Sequence, residues 1–197
     1  MRALGVAIAL AVCAPVLGAQ DNPLAKPKSA PAPWKPVAGV VEFGLEFGGD
    51  KIAEVLFTDG SRQSVVAGQG GTIAAGVDYR ASATSPVSVR ATVGFKFVST
   101  KADNANIGVT RFPLELVGSY HIDKDWRVGV GVAAHTAVKF HADGLGQDIS
   151  FGSAVGATAE VAWRWVGVTV TPMSYTSGNT KVNATAIGVS FLGVLRR

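Results

Sequence analysis

The sequence predicts an all-β protein: an eight-stranded antiparallel up-and-down transmembrane β-barrel, with ten strands as the alternative count. Three observations lead there. Apolar and polar residues alternate with a period of two through most of residues 40–191, which puts alternate side chains on opposite faces of extended chain. The 197 residues include 24 glycines and are 48% hydrophobic but only 16% charged, where an ordinary soluble domain carries about 25% charge. Past the N-terminus no run of about 18 apolar residues could serve as a membrane-spanning helix. Hydrophobic overall, glycine-rich and free of long apolar runs is the composition of a barrel whose apolar residues occupy every second position. The net charge of +4 is spread among apolar residues, which excludes a nucleic-acid partner.

Residues 1–19 read as an export signal. Arg2 supplies the positive start, Ala3 to Val12 the apolar core, and Val16-Leu17-Gly18-Ala19 the small residues for cleavage after Ala19. Leu10-Ala11-Val12-Cys13 offers a lipidation site as an alternative, but the residue before such a cysteine is normally Gly or Ala. Cleavage after Ala19 leaves a mature chain without cysteine. Residues 20–38, rich in Pro, Ala and Lys, cannot build a core and read as a periplasmic linker, with Lys26, Lys28 and Lys35 able to touch a partner. The barrel is expected over 39–197.

The clearest strand is Val87–Phe97, with Val87, Val89, Ala91, Val93, Phe95 and Phe97 on one face and Ser88, Arg90, Thr92, Gly94 and Lys96 on the other. Val41–Phe47 alternates in the same way. Trp126–Phe140 sets Trp126, Val128, Val130, Val132 and Val138 against Arg127, Gly129, Gly131, Ala133, His135 and Lys139. Weaker versions lie at Gly71–Arg80, Arg111–Tyr120, Phe151–Trp163, Val166–Tyr175 and Thr185–Phe191. The polar face is rich in small residues that fill a narrow barrel, and the apolar face suits lipid. Closure is required because an open sheet edge in hydrocarbon leaves backbone groups unpaired.

Connections alternate in length. Ala81–Pro86, His121–Asp125 and the reversal near Arg164 are short and would be periplasmic. Ser99–Gly108, His141–Asp148 and Thr176–Thr180 would be extracellular. Tyr79, Tyr120, Trp126, Trp163, Trp165 and Phe191 form one expected aromatic belt, and Phe47, Phe97, Phe112, Phe140 and Phe151 the other. Lys51–Gln69 is expected to be a long protruding first hairpin with a two-residue turn at Asp59-Gly60. That turn would pair Val41 with Asp78, so a one-residue bulge is needed at Gly48-Gly49 or Gly68–Gly71.

The segments Gly70–Arg80, Arg111-Phe112-Pro113-Leu114-Glu115-Leu116 and Asp123–Gly131 resemble the opacity-type and OmpA-like families of small outer-membrane barrels, over about residues 39–193. The resemblance is one of strand and turn style. It implies a monomeric integral barrel in the outer membrane, set among lipid and lipopolysaccharide and inserted by dedicated machinery. Its roles would run from envelope scaffold to adhesin, with no cofactor. Such barrels usually end on an aromatic residue, whereas here Phe191 is followed by Leu192–Arg197, so insertion would use Phe191 internally or Leu195 in its place.

The inward face should carry a structural network of Glu42, Glu46, Asp78, Arg90, Lys96, Arg111, Glu115, Arg127, His135 and Glu160, with Arg80, Lys139 and Arg164 alongside and Asp78 opposite Arg90. Buried charges must be paired, so this set is read as a plug, with a narrow or gated pore as the alternative. His121 is expected to be a solvated turn residue, His135 to lie near Arg111, and His141, Asp143 and Asp148 to make a weak metal pattern. No Gly-x-Ser-x-Gly elbow, P-loop, His-Glu-x-x-His or Cys-x-x-Cys occurs, and the reading is non-enzymatic, with a lipid A-modifying enzyme as the remote alternative.

Overall fold

The structure, a computed structural model, describes residues 33–57, 59–102, 105–143 and 147–196. The expected signal segment, Cys13, Lys26 and Lys28 lie outside the described residues. The strands are β1 (Val37–Phe47), β2 (Lys51–Leu56), β3 (Arg62–Val66), β4 (Gly70–Tyr79), β5 (Val87–Ala102), β6 (Ala105–His121) and β7 (Trp126–Asp143), followed by β8 (Ile149–Ser150), β9 (Ala154–Trp163), β10 (Val166–Thr171), β11 (Ser174–Ser177), β12 (Thr180–Asn183) and β13 (Ala186–Leu195). No helix among the described residues is long and apolar enough to cross a membrane.

The main sheet runs β6-β5-β4-β1-β13-β10-β9-β7-β8, and β6 also pairs with β7. The sheet therefore closes on itself. The two-residue β8 only extends the edge of β7, so the wall is an eight-stranded antiparallel barrel. Ten strands are not reached, because β2–β3 and β11–β12 each form a separate two-stranded sheet. The short turns gather at one end of the barrel (the turn end) and the longer connections at the other (the loop end).

Alternation in sequence becomes inside and outside. On β5, Ser88, Arg90, Thr92 and Lys96 are buried in the lumen while Val87, Val89, Val93, Phe95 and Phe97 are exposed on the outer wall. The inward glycines let strongly coiled strands approach. A Cβ on Gly131 would run into the carbonyl oxygen of Leu116 on the neighbouring strand.

Three features differ from expectation. First, Thr110 faces Lys139 but Phe112 faces Thr136, so β7 carries one extra residue there. Ala137 is that residue, at φ +48°. The bulge flips the parity of everything above it: Val138 and Phe140 are buried and Lys139 is exposed, the reverse of the simple alternation. Second, the β2–β3 turn is one residue longer than the Asp59-Gly60 pattern suggests. Phe57 N–H donates to the Ser61 carbonyl at 2.9 Å, leaving three residues between them, with Gly60 at φ +83°. This is the hairpin that combines a turn with a left-handed glycine. The Asp59 carboxylate fixes it by accepting from Ser61 N–H at 2.8 Å and Ser61 Oγ at 2.6 Å. At the root, Gly48 (φ +126°) and Gly49 (φ +85°) break β1 from β2, and Val41 pairs with Ala75 while Asp78 pairs with Ala38. Third, the strand expected over Val166–Tyr175 is interrupted at Pro172-Met173, where proline lacks the donor a ladder needs.

Candidate functional site in the lumen and at the loop end

Inward side chains from all eight wall strands meet in a narrow lumen. Near the turn end, Glu160 of β9 accepts from Arg90 Nη2 of β5 at 2.8 Å and from Arg127 Nε of β7 at 3.0 Å. Glu42 of β1 stands 3.7 Å from Arg90 Nε. Arg127 also reaches the Arg164 carbonyl at 2.6 Å and so ties the network to the β9–β10 turn. One turn of side chains higher, Lys96 of β5 pairs with Glu46 of β1. Glu115 faces the space between these groups, and no ion pair within 4.0 Å is made to it among the described residues.

Asp78 does lie opposite Arg90 in the β4–β5 register. Its ion-pair partner is a different residue, Arg196 Nη2 at 2.6 Å. The same guanidinium donates to the Lys35 and Pro36 carbonyls at 2.8 and 3.0 Å and lies 4.2 Å from the Trp34 ring centroid. β13 thus continues well past Phe191, pairing Leu195 with Gly39.

Toward the loop end, Arg111 turns its guanidinium to backbone rather than to an acid, donating to the Ala67 carbonyl at 2.9 Å and the Gln69 carbonyl at 2.5 Å. It lies 5.8 Å from the Tyr175 ring centroid, and the Tyr175 hydroxyl meets His135 Nδ1 at 2.6 Å. Above this layer the interior becomes apolar. Val65 of the first hairpin is buried with Ile107, Val109 and Phe140, and Ala67 with Val138, Met173 and Tyr175. Both small hairpins therefore contribute to one apolar cap over the lumen. Phe140 is buried and Phe151 half-buried, so the expected outer belt is carried by Phe47, Phe97 and Phe112, which are exposed.

Three charged residues leave the inward set. Lys139 points outward because of the Ala137 bulge. Arg164 is exposed in its turn, bonded to Asp125 at 3.0 Å and lying over the Trp163 ring. Arg80 is half-buried and donates to the Ser85 carbonyl at 2.7 Å. His121 is half-buried and hydrogen-bonded to Ser88 at 3.0 Å, a serine–histidine contact that sequence spacing did not reveal. Among the described residues no carboxylate is hydrogen-bonded to His121, the Asp78 carboxylate being held by Arg196, and Ser88 is itself buried. His141 Nδ1 meets Asp148 at 2.9 Å, and the Asp143 side chain lies outside the described residues. Among the described residues no three His, Cys, Asp or Glu groups converge to hold a metal ion.

Two cavities accompany these groups. One of about 20 Å³ lies inside the lumen among Glu42, Glu46, Glu115, Thr72, Thr171 and Ser190. The other, about 320 Å³, opens at the loop end between Ile52, Phe140, Ile149, Phe151 and Val182, with Lys51, Ser177 and Thr180 at its rim.

No family model matches the chain, and no curated protein sequence is similar to it. Similar solved structures are of the attachment invasion locus protein Ail of Yersinia pestis. Its crystal structure has a TM-score of 0.44 at 8% identity, with 80% of this chain and 97% of that chain covered. Its complex with the heparin analogue sucrose octasulfate gives 0.42 at 9% identity, over 80% and 97%. The backbone structure of the outer-membrane protein Ail in a phospholipid bilayer nanodisc gives 0.35 at 8% identity, over 79% and 99%.

Proposed function

We propose that the protein is a monomeric, non-enzymatic integral barrel of the outer membrane, whose lumen network is a structural plug and whose loop end is the surface offered to partners. The reading rests on the exposed apolar wall. Leu45, Val93, Leu116, Val132, Val161, Val168 and Ile187, from seven different strands, all face outward, and Tyr79, Tyr120, Trp126, Trp163 and Trp165 ring its turn end. From Val87 to Phe97 the outward apolar run is about 33 Å along the strand, which at the usual tilt of about 40° gives a band of about 25 Å. Water would oppose exposing such a surface, and hydrocarbon accepts it.

In this reading the short turns are periplasmic, the first 19 residues direct export, and the segment from residue 20 to the start of β1 at Val37, two residues earlier than the sequence boundary at 38/39, forms a periplasmic tether. The lumen network blocks passage of solutes, and lipid and lipopolysaccharide surround the wall. The opacity-type and OmpA-like style of the strands and turns supports the same assignment. The test is membrane fractionation followed by gel migration with and without boiling. A folded barrel sediments with outer membrane and shifts on heating. Recovery in the soluble periplasm, with identical migration boiled and unboiled, would overturn the proposal.

A second reading, that the loop end binds a small apolar solute, is favoured by the cavity of about 320 Å³. Enhancement of an apolar fluorophore's emission by the folded protein, lost in Phe151→Asp, would support it. No enhancement would remove it.

A further inference from the structure

The two rims of the wall differ in aromatic chemistry. All four tryptophans of the chain stand at the turn end. Trp126, Trp163 and Trp165 are 45%, 43% and 56% exposed, and Tyr79 and Tyr120 are exposed on the same rim. Trp126 and Trp163 are direct neighbours across β7 and β9. Of the indole N–H groups only that of Trp34 finds an acceptor among the described residues, the Arg80 carbonyl at 2.9 Å. The outward aromatics of the loop end are Phe47, Phe97 and Phe112, which have no polar atom to offer. Indole and phenol rings suit a boundary where an apolar layer meets a hydrogen-bonding one, and phenyl rings lack the polar half.

Charge differs in the same direction. In the lumen Arg90, Lys96 and Arg111 balance Glu42, Glu46 and Glu115. At the loop end Lys51, Arg62, Lys139 and Lys181 are matched in number by Asp50, Glu54, Asp59 and Asp148. At the turn end Arg127, Arg164 and Arg196 pair with Glu160, Asp125 and Asp78. Lys35, Arg80 and Lys124 then make no ion pair among the described residues, and the one remaining carboxylate there is Asp123, which accepts from backbone N–H groups of Asp125 and Trp126. The positive surplus of the described residues is therefore confined to the end that carries the tryptophans.

Resting on the membrane placement above, we propose that this collar, Trp126, Trp163, Trp165, Tyr79 and Tyr120 with Lys35, Arg80 and Lys124 at its edge, is a docking surface for the headgroups of anionic phospholipids. Indole N–H and phenol O–H groups donate to phosphodiester and ester oxygens. The cations draw a headgroup that carries no ammonium of its own, so an acidic lipid gains from both contacts and a zwitterionic one only from the first. The charge contribution is exposed and weakens with salt, the Debye length being about 10 Å at 0.1 M.

Because all four tryptophans stand at the turn end, their emission reports on that rim. The test places the folded full chain in mixed vesicles of phosphatidylglycerol and phosphatidylcholine, with bromine on the acyl chains of one lipid or the other. At low salt, brominated phosphatidylglycerol should quench roughly twofold or more above brominated phosphatidylcholine at equal mole fraction, and the excess should shrink as salt is raised. Lys35→Gln with Lys124→Gln should remove most of the excess. Lys139→Gln with Lys181→Gln, the same charge change at the loop end, should leave it. Equal quenching by the two lipids overturns the proposal, as does an excess that the turn-end variant keeps or the loop-end variant removes. Gel migration of the same samples separates this outcome from the membrane placement itself. A chain that fails to insert and runs identically boiled and unboiled overturns both, whereas an inserted chain quenched equally overturns the lipid preference alone.

Discussion

Two regions of the same wall obey opposite rules. Below the level of Phe97, Phe112 and Thr136 the outer face is Val, Leu, Phe and Trp, and the inner face is Arg, Glu, Thr and Ser. Above that level the outer face of β7 carries Lys139, while the inner face offers Ile107, Val109, Val138 and Phe140. The strands are continuous across the boundary, so hydrogen bonding does not set the difference. On the proposed membrane placement, solvent does: a sheet with hydrocarbon outside must keep its charges inside and pair them, whereas the same sheet in water folds its apolar face inward under a cap. β5 and β6 make the change by residue choice alone, through Lys96-Phe97-Val98-Ser99 and Val109-Thr110-Arg111-Phe112. β7 makes it by inserting Ala137.

The largest test of this contrast is to open the lower network. Glu160 is the shared acceptor of Arg90 and Arg127, and Glu160→Ala leaves two guanidiniums without it. We expect a loss of about 3–5 kcal/mol in urea unfolding from micelles. Outward charge gives the next largest effect. Val132→Arg, in the middle of the apolar wall, should cost about 2–4 kcal/mol in lipid vesicles. By contrast Lys139→Arg, above the boundary on the same strand, should leave stability unchanged. Equal effects at the two positions would erase the boundary drawn here.

The cap can be loosened separately. Arg111→Met leaves the Ala67 and Gln69 carbonyls unpaired, at a cost of about 1.5–3 kcal/mol. Limited proteolysis should then cut the Asp59-Gly60 hairpin faster while the wall stays resistant. Ala137→Gly should act in the opposite direction, adding about 1 kcal/mol, because glycine occupies the left-handed region without the Cβ clash. Destabilisation on that change would mean the bulge matters through the Ala137 methyl group.

The smallest effect belongs to the turn end. Backbone N–H groups of Trp126 and then Asp125 hold the Asp123 carboxyl below its ordinary pKa of 3.8. A carboxylate of depressed pKa contributes stability that is fully present above its unfolded value and lost as the pH falls through the folded one. Asp123→Asn should therefore lower the urea midpoint slightly at neutral pH, flatten its acid limb below about pH 4 and meet the unsubstituted protein at the lowest pH.

Period two made the eight wall strands legible, together with the split into short and long connections and most of the outward aromatics. Inward residues followed by parity, which placed Glu42, Arg90, Arg127 and Glu160 on the lumen face. Parity fails where one residue is added. Ala137 has no side-chain signal for a left-handed conformation, so Val138, Lys139 and Phe140 were assigned to the wrong faces. Asp59-Gly60 marks a turn but does not fix its length, and the register of the first hairpin slipped accordingly. Partners across the lumen were illegible for another reason. Strand register fixes neighbours in the sheet, but Glu160 and Arg90 meet across the interior, and Arg196 reaches Asp78 from beyond the last aromatic.

The Arg196 contacts have a topological consequence. Because one guanidinium touches Lys35, Pro36 and Asp78, the two ends of the barrel's chain meet within the length of a single side chain. A short peptide could join them, and new ends could be opened at the Gly178 turn, where a side chain would meet nothing within 4 Å. Such a circularly permuted barrel keeps all eight wall pairings, including β1 with β13. It would begin and end on the opposite rim, so a tag fused there would hang from the loop end instead of the turn end.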